Sequence, residues 1–102
     1  MKFKVEKKDK KMVATFFGLP DNQDLVQVSA DFKAFLDDGT EMLILDLKEL
    51  DSVNSQFLGL LASVSHHYGF CNKKFIVANP PDFLMEVLNQ SGIATRLRII
   101  HT

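Results

Sequence analysis

The stretch Met42-Leu43-Ile44-Leu45-Asp46-Leu47-Lys48-Glu49-Leu50-Asp51-Ser52-Val53-Asn54-Ser55-Gln56-Phe57-Leu58-Gly59-Leu60-Leu61 sets the reading of the chain. Its first four residues are apolar without polar alternation, which predicts a strand covered on both faces and therefore central in a sheet. A charged loop follows. Phe57, Leu61, Val64 and Tyr68, flanked by Leu58 and Leu60, then recur at helical spacing, and Gly69 sits where a left-handed helix end would fall.

Working outward, the same alternation repeats. Towards the N-terminus, Phe3 and Val5 alternate with Lys2, Lys4 and Glu6, the period-2 pattern of a strand whose charges guard an edge. Lys8-Asp9-Lys10 reads as a turn, and Met12 to Phe17 as the returning strand of a hairpin. Gly18-Leu19-Pro20-Asp21-Asn22 breaks it and offers Asp21 or Asn22 as a helix cap. Leu25, Val28, Phe32, Phe35 and Leu36 form one stripe of a helix over residues 23–37, which Gly39 ends. Towards the C-terminus, Phe75-Ile76-Val77-Ala78 is another short buried strand. Asn79-Pro80-Pro81-Asp82 opens a third helix with proline in its first turn, Ser91-Gly92 stops that helix, and a last strand lies near residues 97–100.

Strands alternating with helices imply parallel pairings joined by right-handed crossovers. The expected fold is α/β: residues 1–102 as a single domain with one mixed, mostly parallel sheet, amphipathic helices mainly on one face, and an antiparallel edge hairpin in front.

The composition narrows the function. With 102 residues, 46% of them hydrophobic and 25% charged, the chain can build one core but no cleft between two domains. Cys71 is the lone cysteine, so no internal disulfide forms and a reducing, cytoplasmic address is favoured. The formal charge of −1 argues against a nucleic-acid module. Charge is nevertheless uneven: residues 1–20 carry +4, residues 21–51 carry −7 and the remainder +2. The Lys-rich start resembles a signal peptide only superficially, because Glu6 and Asp9 interrupt it and no small-residue cleavage site follows. No apolar run is long enough for membrane insertion.

Enzyme chemistry finds little support. Cys71 with His66 or His67 lacks a recognisable nucleophile signature, and a lone cysteine is usually a small buried hydrophobe. Adjacent histidines on a helix diverge by about 100° and do not chelate one metal together. Asp37, Asp38 and Glu41 lack the alternating oxygen ligands of a calcium loop. There is no glycine-rich phosphate loop or nucleophile elbow. The expectation is a non-enzymatic protein without cofactor or metal.

What remains is Asn54-Ser55 at the carboxyl end of the parallel sheet. A hydroxyl there ordinarily caps the helix. It is also a good phosphorylation site, since the added dianion faces the positive end of the helix dipole and its unpaired N–H groups.

This segment resembles the STAS domain of the bacterial anti-sigma-factor antagonist type, whose pattern is a strand ending Asp-Leu, a loop, and Asp-Ser-(Ser/Thr/Ala)-Gly-Leu-Gly opening a helix. Asp46-Leu47 matches the strand end, Ser55 falls on the family's phosphorylated serine, and Leu58-Gly59 follows. Gly18-Leu19-Pro20-Asp21, Gly69 with residues 73–78, and Leu88 to Ile93 resemble three further family segments. The resemblance implies partner switching. The unmodified protein would bind an anti-sigma factor with serine-kinase activity, phosphorylation of Ser55 would release it, and a serine phosphatase would reset it. The implied docking surface is Asp21, Asn54, Ser55, Gln56, Phe57 and Leu58. The alternative is a STAS-fold subunit of a lipid-transport or other non-sigma assembly in which Ser55 only caps a helix. Asn54 stands where the family has Asp, keeping capping ability but losing a charge. Phe57 stands where it has Gly, as an exposed docking anchor or as a core residue.

Overall fold

The computed structural model describes residues 2–18 and 22–102, with the backbone alone for residues 2, 3 and 22–24. The elements are β1 (Lys2–Lys8), β2 (Lys11–Phe17), α1 (Asn22–Ala34), β3 (Met42–Asp46), α2 (Ser55–Phe70), β4 (Lys74–Ala78), α3 (Asp82–Ser91), a 3-10 turn (Ile93–Arg96) and β5 (Arg98–Ile100). They form one sheet in the order β1-β2-β3-β4-β5, with β1 antiparallel to β2 and every later pair parallel. The mixed sheet with its edge hairpin is the architecture expected from the apolar patterns.

Topology then fixes where the helices go. The parallel strands are added one after another in a constant direction, and right-handed crossovers taken in a constant direction put every connection on the same face. The core agrees. Met12, Ala14 and Phe16 of β2, Leu43 and Leu45 of β3, and Phe75 and Val77 of β4 share one buried cluster with residues of all three helices. Phe16 is its pivot, stacked on Phe32 of α1 at 6.0 Å and edge-on to Phe57 of α2 at 5.7 Å. Such aromatic pairs add about 0.5–1.5 kcal/mol beyond area burial.

The opposite face carries no helix. There Glu6, Val13, Ile44, Ile76 and Arg98 lie side by side in register across the five strands. β3 is central, as its apolar run implies, but helices cover only one of its faces. Ile44 is half-buried by neighbouring side chains instead.

Three boundaries differ from the sequence pattern. α1 stops at Ala34 rather than at residue 37, because the bonds Leu36 N–H to Lys33 O (3.3 Å) and Asp37 N–H to Ala34 O (3.0 Å) tighten the chain to i→i−3 spacing. Phe35 and Leu36 still pack against the core, which is why the apolar stripe overran the helix. Pro81 sits at the N-cap of α3 rather than in its first turn. The 3-10 turn before β5 has no apolar period of its own and was not expected.

Candidate functional site

The loop from β3 to α2 is held from three sides before the helix begins. Leu47 and Leu50 are buried, and Val53 packs against the core. Leu47 N–H donates to Ala78 O at 3.0 Å, tying the loop to β4. Gly18 N–H donates to Glu49 O at 3.2 Å and Asp51 N–H to Gly18 O at 3.0 Å, tying it to the end of β2. Gly18 has φ of +80°, a left-handed backbone that residues with a Cβ rarely adopt, so the β2 end and the loop meet through a glycine. Asp46 accepts Lys48 N–H at 3.2 Å through Oδ1, and its Oδ2 lies 3.9 Å from the Lys48 ammonium.

Asn54 then caps α2. Its backbone is extended (φ −131°, ψ 175°), and its Oδ1 accepts Phe57 N–H at 2.8 Å. Ser55 is therefore the first helical residue and not the cap. Its side chain is exposed, and no hydrogen bond engages its hydroxyl among the described residues. The reading of Ser55 as a helix cap is thus corrected: the neighbouring amide does that work, leaving the hydroxyl available. The first turn of α2 holds no acidic residue, so no side-chain carboxylate there offsets the positive end of the helix dipole.

The docking residues divide by depth. Ser55 and Gln56 are exposed, Asn54 and Leu58 are half-buried, and Phe57 is fully buried against Phe16. Phe57 is therefore a core residue and no docking anchor, because at the third helical position it falls in line with Leu61, Val64 and Tyr68. Asp21, the remaining expected contact and one of the two expected caps of α1, lies outside the described residues. Asn22, the other, is already helical.

Sequence reasoning missed how the outer face of α2 continues. Gln56 and Gly59 border a shallow groove of about 450 Å³ between α1 and α2, shared with Val26, Ala30 and Ser63. Val26 is 72% exposed, an apolar side chain left in water beside the helix start. The signal was present in the sequence: Val26 lies off the Leu25–Val28–Phe32 stripe, so a helix burying that stripe turns it outward.

The enzyme candidates do not assemble. Cys71 is exposed at the C-cap of α2, beyond the last buried turn, which corrects the expectation of a small buried hydrophobe. His66 is exposed and His67 half-exposed on the same helix. Among the described residues, no three His, Cys, Asp or Glu side chains group to hold a metal ion. None of the described helices is long and apolar enough to cross a membrane. At the far end of α2, Tyr68 is buried and its hydroxyl donates to Phe32 O at 2.6 Å, holding α1 to α2; burial pushes its phenol pKa upward, with a smaller contribution from Cys71.

Neither a protein-family model nor a curated protein sequence matches the chain. Solved structures do match. An unphosphorylated form of the anti-sigma-factor antagonist SpoIIAA superposes with a TM-score of 0.84 at 20% identity, over 96% of this chain and 87% of that one. The fold is that of the STAS domain. The phosphorylated form of SpoIIAA, a Bacillus cell-fate determinant, matches with a TM-score of 0.80 at 20% identity, over 96% and 90% of the two chains. An anti-sigma-factor antagonist from Mycobacterium paratuberculosis gives 0.82 at 19% identity, over 97% and 84%. Nearly the whole STAS fold is therefore shared while about four residues in five differ.

Proposed function

We propose that this chain is a phosphorylation-switched binding protein acting as an anti-sigma-factor antagonist. The observation that carries the reading is the division of labour at the start of α2, where Asn54 caps the helix and Ser55 presents an exposed, unengaged hydroxyl at its first position. In the unmodified state the face formed by Ser55, Gln56, Gly59 and Val26 docks on an anti-sigma factor that is also a serine kinase. The kinase brings the ATP, and this chain acts in the cytoplasm without cofactor chemistry of its own. Transfer of the phosphoryl group to Ser55 Oγ adds a charge of roughly −1.5 to −2. That charge faces the positive helix end, so α2 keeps its structure. The effect falls on the partner, which meets a desolvation cost and repulsion at a patch whose own side chains had carried no charge. A serine phosphatase restores the binding form.

The fold shared with antagonists solved in phosphorylated and unphosphorylated forms supports this reading. Its test is pulldown of a serine-kinase anti-sigma factor encoded near this gene. Ser55→Ala should bind as the unmodified protein does, and Ser55→Glu should bind at least tenfold more weakly. Equal binding by both variants contradicts the switch.

A further inference from the structure

Phe70, the last residue of α2, is 85% exposed, the most open of the large apolar side chains among the described residues. It lies about 200° around the helix from the buried Tyr68, so packing of the core stripe turns it outward. Ala62, Ser65, His66 and Gly69 lie beside it on α2, and Arg96 of the 3-10 turn closes the far side of a cavity of about 400 Å³. Ser65 Oγ donates to Arg96 O at 3.2 Å, which fixes the turn against the helix. A second hollow of about 250 Å³ shares Ser65, Gly69 and Arg96 and continues past Lys73, Lys74 and Arg98.

Charge in this corner has one sign. Among the described residues, no carboxylate lines either hollow. Lys73 is taken by Glu41 at 4.0 Å, whereas Arg96 and Arg98 are exposed and without an ion pair among the described residues. The negative end of the helix dipole is covered as well. The carbonyls of His67, Tyr68 and Gly69 accept the N–H groups of Cys71, Lys73 and Asn72 respectively, so little of that end opposes an incoming anion. Gly69 keeps the recess open: a Cβ there would meet nothing within 4 Å beyond its chain neighbours and the helix backbone.

We propose that this corner docks an acidic peptide segment of a partner protein that carries one large apolar side chain. That side chain enters the recess over Gly69 and covers Phe70, removing apolar surface from water. The flanking carboxylates meet Arg96 and Arg98, whose planar forks suit carboxylate oxygens. An exposed aromatic beside arginines is the composition of an interface hot spot. The two features together select the occupant. A small free anion would satisfy the guanidinium groups and leave Phe70 in water. A nucleic acid would spread beyond the corner over a chain whose formal charge is −1. A lipid surface is flat and would leave the recess empty. The corner lies about 22 Å along α2 from Ser55. It is independent of the Ser55 switch, so one partner can stay bound here while another is released there.

Selection of a random dodecapeptide library displayed on phage against the full chain, with counter-selection on Phe70→Ser/Arg96→Gln, tests it. The expected result is enrichment of peptides with several carboxylates around one aromatic or large aliphatic residue. In ¹⁵N NMR titration, the most enriched peptide should shift the amides of residues 62–70 and 96–98 and leave residues 55 and 56 unmoved. Its affinity should fall at least fivefold for Phe70→Ser and for Arg96→Gln/Arg98→Gln. Gly69→Gln, which fills the recess without changing charge, should weaken binding as much. Each variant should keep the parent's Tm, which sets misfolding aside, and Ser55→Glu should bind the peptide as the parent does. Enrichment of basic or uncharged peptides, no enrichment over the counter-selected variant, or shifts confined to the Ser55 end would overturn the proposal. Tighter binding of single-stranded DNA or anionic lipid vesicles, lost in the same variants, would overturn it too.

Discussion

The two ends of the sheet solve different problems with the same elements. At the carboxyl end, Asp46, Glu49 and Asp51 surround a loop with Lys48 as the nearby base, and the backbone is pinned to Gly18 and Ala78. At the amino end, lysines crowd a groove and Glu41 neutralises only two of them. A formal charge of −1 conceals this polarity. The difference teaches that total charge says little about what either end meets. Added phosphate deepens a field that is already negative at the carboxyl end, while the amino end carries an excess of ammonium groups. α2 spans both, with Ser55 at the acidic end and Tyr68 near the basic one.

If the carboxyl end is a rigid platform, its anchor should cost the most to remove. Phe57→Ala should lower unfolding free energy by about 3–5 kcal/mol in urea titration, as for other buried aromatic truncations. A loss under 1 kcal/mol would place Phe57 at the surface and reverse the assignment. At the other end, Tyr68→Phe removes the hydroxyl that serves Phe32 O and should cost about 1–3 kcal/mol. The pH dependence gives that substitution a signature. A phenol whose pKa is raised by folding contributes stability below the unfolded value of about 10, and loses it as pH climbs through 10 towards the folded value. The parent should therefore lose more stability than Tyr68→Phe between about pH 9.5 and 11, and equal losses would remove burial as the cause. Tyr68 is the chain's one tyrosine, so its absorbance titration is unambiguous.

Smaller effects separate cap from switch. Asn54→Ala should cost about 1 kcal/mol, with Asn54→Asp restoring it. A comparable loss from Ser55→Ala would mean that the hydroxyl shares the capping role. Ser55→Glu should instead gain about 0.3–1 kcal/mol at low ionic strength, read as a shift in urea midpoint that salt removes. A destabilising Glu would mean that the helix end cannot accept the phosphate without rearranging.

How much was legible beforehand depends on whether a residue's role is local or set by pairing. The uninterrupted run Met42 to Leu45 marked the central strand, and the Phe57–Leu61–Val64–Tyr68 spacing marked the buried side of α2. That spacing already placed Phe57 inside; the docking reading came from comparison with a family glycine, and helical geometry overrode it. Asn54 was recognised as able to cap, but whether Asn54 or Ser55 does so depends on a one-residue choice of helix start that propensity does not make. The row Lys8–Lys11–Met42–Lys74 was invisible, because strand order and register create it from residues far apart in the chain. The bare second face of β3 was hidden for the same reason: an apolar run reports burial, and neighbouring side chains supply it as well as a helix can.

The central claim is that the hydroxyl left free by Asn54 is the regulated atom. Incubation of the protein with ATP and a serine-kinase anti-sigma factor encoded near its gene, followed by peptide mapping in a mass spectrometer, tests it directly. The account predicts a single phosphate on Ser55, absent from Ser55→Ala, with the modified protein released from the kinase. No phosphate at Ser55, or one that leaves binding unchanged, would contradict it.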